Sequence, residues 1–379
     1  MTAGFGAPRR AATGGIVKLP HRVYSVGMPS AYLNRIATAV PPHDIHSAFA
    51  EFAMSLLDDA RSRSVFARMA ARAHISHRYS VLATELADAD TSTRLYARGR
   101  FPKTAERMAL YEQFAPLLAV EAVRQLAVEA DGRRVTHLIV TSCTGMYAPG
   151  LDLELVERCG LDPSVERTMV GFMGCYAAIN ALKLARHIVR SEPAARVLLV
   201  NLELCSLHLR ETEQIEPMLS YLVFGDGCAA SLVSADPVGF ELDRFHVALV
   251  ADTQRLITWN VRDDGFEMHL SGRVPAAIAL GLGQAAPAIL DGASAQAIDL
   301  WAVHPGGRSV LDAVGQGLGL SDSALAPSRR VLDQFGNMSS ATVMFVLEAL
   351  LALARPGQRG CAMSFGPGLT AETLLFHAA

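Results

Sequence analysis

The stretch that decides the fold is VGFMGCYAAIN, residues Val170–Asn180. A turn of small residues delivers one cysteine, Cys175, and a mostly apolar run follows at once, which predicts a buried helix. Unpaired backbone N–H groups and the helix dipole favour an anion at such a position. We therefore predict that the pKa of the Cys175 thiol is lowered and that this residue is a nucleophile. A buried, inert structural cysteine is the alternative.

The composition narrows the class of protein. The chain has 379 residues, enough for two domains, and 51% of them are hydrophobic, which predicts an extensive core. The formal net charge of −3 gives no reason to expect nucleic acid as a partner. The six cysteines lack the spacing of a metal site, so we expect no metal and the reduced thiols of a cytoplasmic protein. The longest apolar run, 341–354, is short and contains Glu348, which predicts no membrane span.

The region before the first predicted strand is mostly helical. Residues 1–20 are rich in glycine, alanine and arginine, and we expect a loose N-terminal arm. Helical patterns dominate 47–126, and within them 62–79 is basic, with Arg68 and Arg72 one turn apart on the same face. This face is either solvated or a clamp for a polyanion such as the phosphates of coenzyme A.

The second half of the chain repeats the order of elements in the first. In each half a buried strand runs into a loop, and a turn of small residues then opens a long apolar helix. In the second half the loop is His304-Pro305-Gly306-Gly307 and the turn is Gly336-Asn337-Met338-Ser339-Ser340. The repeat predicts an internal duplication into two α/β halves. We place these halves at 21–236 and 237–379.

Pseudo-twofold pairing of the halves would bring His304, at a strand end, and Asn337, at a helix start, opposite Cys175. A thiol, an imidazole and a carboxamide form a suitable set for making carbon–carbon bonds. We expect the imidazolium of His304 to pair with the thiolate of Cys175. After the cysteine is acylated, His304 and Asn337 would hydrogen-bond the thioester carbonyl of a second substrate, where negative charge develops as CO2 leaves.

The motifs together resemble those of one family. They are Gly174-Cys175, Phe224-Gly225-Asp226-Gly227, His304-Pro305-Gly306-Gly307, Gly336-Asn337-Met338-Ser339-Ser340 and Phe365-Gly366-Pro367-Gly368-Leu369-Thr370-Ala371-Glu372. This set is similar to the signatures of the type III polyketide synthases, the chalcone synthase superfamily. The resemblance implies a layered αβαβα thiolase-like fold and a homodimer. It also implies an acyl-CoA starter and malonyl-CoA as substrates, with neither a metal nor an organic cofactor.

The resemblance further implies roles for individual residues. Cys175 is loaded with the starter acyl group, which is extended by decarboxylation of malonyl-CoA and Claisen condensation. His304 and Asn337 hold the thioester carbonyl, and Phe224 is the gatekeeper between the cavity and the coenzyme A tunnel. The implied contacts to coenzyme A are Arg68, Arg72, Gly306, Gly307 and Ser309. The implied contacts to the substrate are Thr144, Ala148, Cys205, Trp259, Met268 and Ser339.

Several of these positions depart from the plant chalcone synthases. Those enzymes carry a threonine–serine pair at Cys143-Thr144, methionine at Ala148, threonine at Cys205, glycine at Trp259 and phenylalanine at Met268. The stretch CTGMYAPG, 143–150, instead resembles the bacterial alkylpyrone and alkylresorcinol synthases, which take long fatty acyl starters. Ala148 leaves room for an alkyl chain unless neighbouring side chains fill it. Trp259 is large, so the volume is redirected rather than enlarged.

Three other functions compete with this interpretation. A ketoacyl-carrier-protein synthase of fatty acid synthesis shares the fold and a Cys/His/Asn set. A Cys/His/Asn thiol hydrolase would release free acid without chain growth. A non-catalytic thiolase-fold binding protein would not need all three reactive residues. The sequence leaves open the starter, the number of extensions, and cyclisation to a pyrone or to a resorcinol.

Overall fold

The structure is a computed structural model that describes residues 29–82, 95–250 and 252–379. The predicted loose arm, 1–20, lies outside the described residues. In the described part of the chain, no helix combines the length and the apolar character needed to cross a membrane.

The strands alternate with helices along most of the chain. The strands are β1 (Tyr32–Ala39), β2 (His43–Asp44), β3 (Tyr79–Ser80), β4 (His137–Ser142), β5 (Glu166–Gly171), β6 (Val197–Leu204), β7 (Asp226–Ser234), β8 (Phe240–Leu249), β9 (Ile257–Arg262), β10 (Gly265–Leu270), β11 (Leu300–Val303), β12 (Arg359–Gly366) and β13 (Thr370–Ala378). The helices are α1 (His46–Leu56), α2 (Ala60–Arg72), α3 (Thr104–Leu126), α4 (Leu151–Cys159), α5 (Ala177–Ser191), α6 (Ile215–Tyr221), α7 (Val274–Ile289), α8 (Arg308–Leu318), α9 (Ala326–Phe335) and α10 (Thr342–Leu351).

The sheet topology confirms the internal duplication. The first half is ordered β1-β7-β6-β4-β5 and the second β8-β13-β12-β11. In each half the first strand pairs antiparallel with the last, the last pairs antiparallel with the strand before it, and that strand pairs parallel with the next. The first strands of the halves meet at Tyr32–Glu241 and Leu33–Phe240, so both halves form one sheet.

Helices separate and cover the two halves of the sheet. Helices α5 and α10 lie in the middle layer and contact strands of both halves. Nearly every face of α10 is apolar, whereas α5 buries one apolar side and carries Lys183, Arg186 and Arg190 on the other. Helices α3 and α4 cover the first half, and α7 and α8 cover the second. The result is the layered thiolase-like α/β fold that the resemblance implies.

The predicted helices behind Cys175 and Asn337 are α5 and α10. A short 3-10 turn precedes each of them, Gly174–Tyr176 in the first half and Ser339–Ala341 in the second. The first residue of each turn has a left-handed backbone, with φ of +71° at Gly174 and +47° at Ser339. The two turns are therefore the same local structure, and they place Cys175 and Ser340 at matching positions.

The boundary that we place at 236–237 lies in the connection between β7 and β8. The hairpin of β9 and β10 stands outside the large sheet and pairs only within itself among the described strands. It follows β8 in the second half and covers one side of the space between the halves.

Candidate active site

A mostly apolar cavity lies between the two halves. Cys175, His304, Asn337 and Phe224 all line it. The other lining residues that the sequence analysis named are Thr144, Cys205, Trp259, Met268, Ser339 and Gly306. The structure thus brings the thiol, the imidazole and the carboxamide to one enclosed space.

Cys175 is the middle residue of the 3-10 turn before α5 and is 9% exposed. Gly174 must be glycine, because its φ is +71° and a Cβ there would collide with the ring of Pro367. The close approach of these two segments brings the loop after β12 against the turn that carries the thiol.

The prediction of a lowered pKa at Cys175 is wrong for the free cavity. Burial raises the pKa of this thiol to about 12, although side-chain hydrogen bonds from Ser339 and Asn337 act in the opposite direction. Burial outweighs the helix terminus because desolvation penalises the thiolate directly. The structure therefore holds a neutral thiol rather than a preformed thiolate.

His304 follows β11, and its backbone N–H donates to the carbonyl of Met363 at 2.8 Å. The side chain is 1% exposed, and burial lowers the pKa of its imidazole to about 3. Neither ring nitrogen has a hydrogen-bond partner within the described residues. A neutral imidazole offers one nitrogen that accepts a proton and one N–H that donates, so both remain available to a substrate.

Asn337 is held at its backbone and at its carboxamide. Its N–H donates to the carbonyl of Val223 at 2.7 Å, and its carbonyl accepts from the N–H of Gly225 at 3.0 Å. The side-chain Oδ1 accepts from the N–H of Ser339 at 2.9 Å, and Nδ2 donates to the carbonyl of Gly306 at 3.3 Å. These bonds fix the orientation of the amide, whose other Nδ2 hydrogen faces the thiol of Cys175 and so lies in the cavity.

Trp259 closes one side of the cavity. Its indole N–H donates to the carbonyl of Cys143 at 2.8 Å, and its ring meets the edge of His208 at 5.5 Å. The imidazole of His208 stacks on Phe266 at 4.3 Å and bonds to the carbonyl of Thr144 at 2.6 Å. Burial lowers the pKa of His208 to about 3, so it is a neutral part of a rigid wall. The sequence analysis did not identify His208, because an isolated histidine carries no motif.

A second, smaller and narrow cavity lies behind Cys205. Cys205, Tyr221 and Phe224 line both cavities. The far wall of the smaller one includes the apolar side chains of Phe49 and Leu209. Cys205 therefore stands between the thiol site and a further apolar space.

Ala148 is exposed and does not line the cavity of this chain. The ring of Tyr111 packs directly on Gly145, leaving no room there for a Cβ, and Met146 after it is 54% exposed. The loop thus turns outward before Ala148, and the contact of this residue with the substrate stays a prediction.

The carboxylate of Glu203 lies behind the cavity wall, and it was not predicted from the sequence. Glu203 is fully buried and accepts from the N–H of Cys143 and the hydroxyl of Thr144, both at 2.9 Å. The hydroxyl of Ser340 donates to its other oxygen at 2.5 Å. Burial raises the pKa of Glu203 to about 7. Its position in the apolar strand β6 gives no local signal of these partners.

Apart from Gly306, which lines the cavity, the expected coenzyme A contacts lie outside it. Arg68 and Arg72 are exposed on α2, and the carbonyl of Arg72 accepts from the guanidinium of Arg308 at 3.3 Å. Arg308 begins α8 directly after Gly307, and Ser309 is exposed beside it. The sequence analysis missed Arg308, because its proximity to α2 depends on the packing of the two halves.

Family models match both halves of the chain. The N-terminal domain of the chalcone and stilbene synthases matches residues 23–237, and their C-terminal domain matches residues 241–379. The chain is 33% identical to the "Alpha-pyrone synthesis polyketide synthase-like Pks18" of Mycobacterium tuberculosis, over 99% of this chain and 98% of that protein. The protein of the same name from Mycobacterium bovis matches equally.

Solved structures agree with these matches. PKS-I from the brown alga Ectocarpus siliculosus has a TM-score of 0.83 and 30% identity, covering 94% of this chain and 100% of that one. The type III polyketide synthase domain of Steely1 from Dictyostelium has a TM-score of 0.83 over 92% of this chain and 99% of that one, and at 23% identity it shows the fold alone. With both family models matched and a 33% identical relative along nearly its whole length, the chain belongs to the type III polyketide synthases, which are condensing acyltransferases.

Proposed function

We propose that the chain condenses an acyl-CoA starter with malonyl-CoA and cyclises the product to an alkylpyrone. The observation that carries this proposal is the meeting of Cys175, His304 and Asn337 in one enclosed apolar cavity. The name of the mycobacterial relative refers to alpha-pyrone synthesis, which favours a pyrone over a resorcinol. The proposed chemistry uses a thiol, an imidazole and a carboxamide, so it requires no metal and no organic cofactor.

Loading of the starter begins at the neutral thiol. The sulfur of Cys175 attacks the carbonyl carbon of the acyl-CoA, and its proton passes to the imidazole of His304. The bond between that carbon and the coenzyme A sulfur breaks, and coenzyme A leaves as a thiol with the proton. Once the proton has left with coenzyme A, the imidazole is neutral again for the next step.

Extension uses the same groups as hydrogen-bond donors. The carbonyl oxygen of malonyl-CoA accepts from Nδ2 of Asn337 and from the N–H of neutral His304. The bond to the carboxylate breaks, CO2 leaves, and the electron pair moves to this oxygen as an enolate, which the two donors stabilise. The enolate carbon attacks the acyl group on Cys175, the thioester bond breaks, and the thiol is restored when its sulfur takes a proton.

We propose a medium- or long-chain fatty acyl starter. The cavity wall is mostly apolar, and each methylene that leaves water for such a lining contributes about 0.8 kcal/mol. Thr144, Trp259, Met268 and Ser339 would surround the reacting end of the chain. Cys205, on the wall between this cavity and the narrow cavity behind it, would mark the direction of the rest of the chain.

The phosphates of coenzyme A would bind outside the cavity, between α2 and α8. Arg68, Arg72 and Arg308 supply three positive charges there, and Gly306 marks the connection to the cavity wall. Gly307 and Ser309 would lie beside the pantetheine arm. The contact between Arg308 and the end of α2 supports a polyanion clamp over a merely solvated helix face.

We propose a cytoplasmic homodimer. Strand β5 lies at the end of the sheet, its residues 166–169 are exposed, and Met169 is 45% exposed. An unpaired strand edge with an apolar side chain favours pairing with another chain. The free cysteines of the described residues are compatible with a reducing compartment, which the proposed thiol chemistry needs.

Product mass spectrometry with a panel of acyl-CoA starters and malonyl-CoA tests the proposal. We expect iterative products from malonyl-CoA alone as extender, with masses of alkylpyrones. Dependence on a malonylated carrier protein would indicate a ketoacyl synthase of fatty acid synthesis instead. Release of the free starter acid without chain growth would indicate a thiol hydrolase.

A further inference from the structure

Arg78 is a buried arginine behind the cavity wall. The side chain is 1% exposed, and its guanidinium lies over the ring of Phe49 at 4.6 Å. Its Nε donates to Nδ1 of His46 at 3.0 Å. A buried cation is costly unless its donors find partners. Nη2 has none among the described residues, so the bonds of Nη1 show which segment Arg78 holds.

The other edge of this guanidinium holds the segment that carries the gatekeeper. Nη1 donates to the carbonyl of Tyr221 at 3.1 Å and to the carbonyl of Phe224 at 2.5 Å. Tyr221 is the last residue of α6, and Phe224 lines the main cavity three residues later. One planar group therefore fixes both ends of the turn from α6 into the cavity wall.

That turn is joined to Asn337 by backbone hydrogen bonds. Val223 and Gly225 form the two bonds to the Asn337 backbone that are described above. Gly336 packs against Arg78 and Val223. A Cβ at this position would lie 2.8 Å from Cγ of Arg78 and 2.7 Å from the carbonyl oxygen of Val223. The stem of Arg78 thus contacts the asparagine turn while its guanidinium holds the gatekeeper turn.

We propose that Arg78 is a positioning residue for decarboxylative condensation, which fixes the Val223–Gly225 segment and, through it, the carboxamide of Asn337. The inference rests on the proposed function, in which Asn337 receives the malonyl thioester. Arg78 touches no reacting atom. Misplacement of a positioned group by about 1 Å costs on the order of a hundredfold in rate, so loss of this support would affect the step that uses Asn337.

The test separates the loading of Cys175 from the decarboxylation of malonyl-CoA. Because Arg78 also lines the cavity behind Cys205, the test uses acetyl-CoA, whose acyl group does not reach that cavity. In Arg78→Met we expect the rate of Cys175 acetylation, measured by intact-protein mass, to stay within about twofold of wild type. The kcat for malonyl-CoA decarboxylation should fall by about tenfold or more, with little change in KM, because only the later step depends on Asn337. Arg78→Lys should recover part of the loss, since an ammonium reaches one of the two carbonyls, and it remains informative if the methionine variant does not fold.

Arg196→Met is the matched control. Arg196 is also buried, at 4% exposure, and donates to the carbonyl of Val128 at 2.9 Å, but it precedes β6 at the end opposite the cavity. The control should lower stability without separating acylation from decarboxylation. Equal loss of both steps in Arg78→Met and in this control, or unchanged decarboxylation in Arg78→Met, would overturn the inference. Asn337→Ala tests the proposed function separately: if it decarboxylates at the wild-type rate, the role of Asn337 fails, and the role of Arg78 with it.

Discussion

The indole N–H of Trp259 and the carbonyl oxygen of Cys143 form a hydrogen bond of 2.8 Å across one side of the cavity. This bond ties the β9–β10 hairpin to the loop after β4. A starter chain that leaves Cys175 cannot pass between these two residues while the bond is intact. We expect a longer chain to extend toward Cys205, on the wall that separates this cavity from the narrow one behind it.

The first prediction follows from the expected course of the acyl chain toward Cys205. Cys205→Phe should lower kcat/KM for long-chain starters by about tenfold or more, because blocked methylenes lose about 0.8 kcal/mol each, while short starters are affected little. The measurement is kcat/KM across acyl chain lengths. Cys159→Phe, on α4 away from the cavity, is the control for the same substitution. An unchanged chain-length profile in Cys205→Phe would place the alkyl chain elsewhere.

The second prediction concerns the acyl carrier. Cys175→Ala should abolish both polyketide formation and the acyl adduct seen by intact-protein mass after incubation with an acyl-CoA. Cys143→Ala should still form the adduct, since burial raises the pKa of Cys143 well above its ordinary value and its sulfur accepts from the N–H of Gly174. An adduct that persists in Cys175→Ala would contradict the assignment.

The third prediction tests the neutral thiol–imidazole pair. A neutral thiol needs a base when it reacts, so His304→Ala should slow alkylation of Cys175 by iodoacetamide at neutral pH by about tenfold or more. The half-buried Cys159 in the same molecule is an internal reference, and its alkylation should be unaffected. Equal alkylation of Cys175 in both proteins would mean that His304 does not act as its base.

The fourth prediction links Glu203 to stability. Its folded pKa of about 7 exceeds the ordinary 4.5, so between these values the folded chain binds more protons than the unfolded one. Stability from this group is therefore lost as pH rises through that window. From about pH 5 to about pH 8 the loss is roughly 2 kcal/mol, and Glu203→Gln should remove it.

Denaturant unfolding of wild type and Glu203→Gln at both pH values measures this difference. The exposed Glu157→Gln is the control, and it should retain the wild-type dependence on pH. Parallel stability curves for wild type and Glu203→Gln would refute the argument from burial.

The fifth prediction concerns Arg308, which lies outside the cavity and was not predicted from the sequence. Arg308→Ala should raise KM for coenzyme A thioesters more than it lowers kcat, because phosphates remote from the reacting carbon bind equally in ground and transition states. Arg330→Ala removes an exposed charge from α9 and serves as the control. Equal changes in KM and kcat in the two variants would mean that α2 and α8 form an ordinary solvated surface and do not bind coenzyme A.

The sequence predicted what depends on local pattern. The two halves, the turns at Cys175 and Asn337 and the helices behind them follow from small residues and apolar runs that are close together in the chain. The roles of Glu203 and Arg78 could not be predicted, because their hydrogen-bond partners lie far away in the sequence and only packing brings them together. The lowered pKa at Cys175 failed for a related reason: a helix terminus is a local feature, whereas desolvation depends on everything that surrounds the thiol.

Cys175 and Ser340 occupy the same point of the repeated unit, yet one is a thiol that faces the cavity and the other a hydroxyl bonded to Glu203. Two separate copies of an identical half-length ancestor would have to carry the same residue at both points. In one fused chain the two points are separate positions, so a substitution at one leaves the other unchanged. The division of labour between nucleophile and supporting donors is therefore open only to the fused chain, and not to a symmetric pair of identical halves.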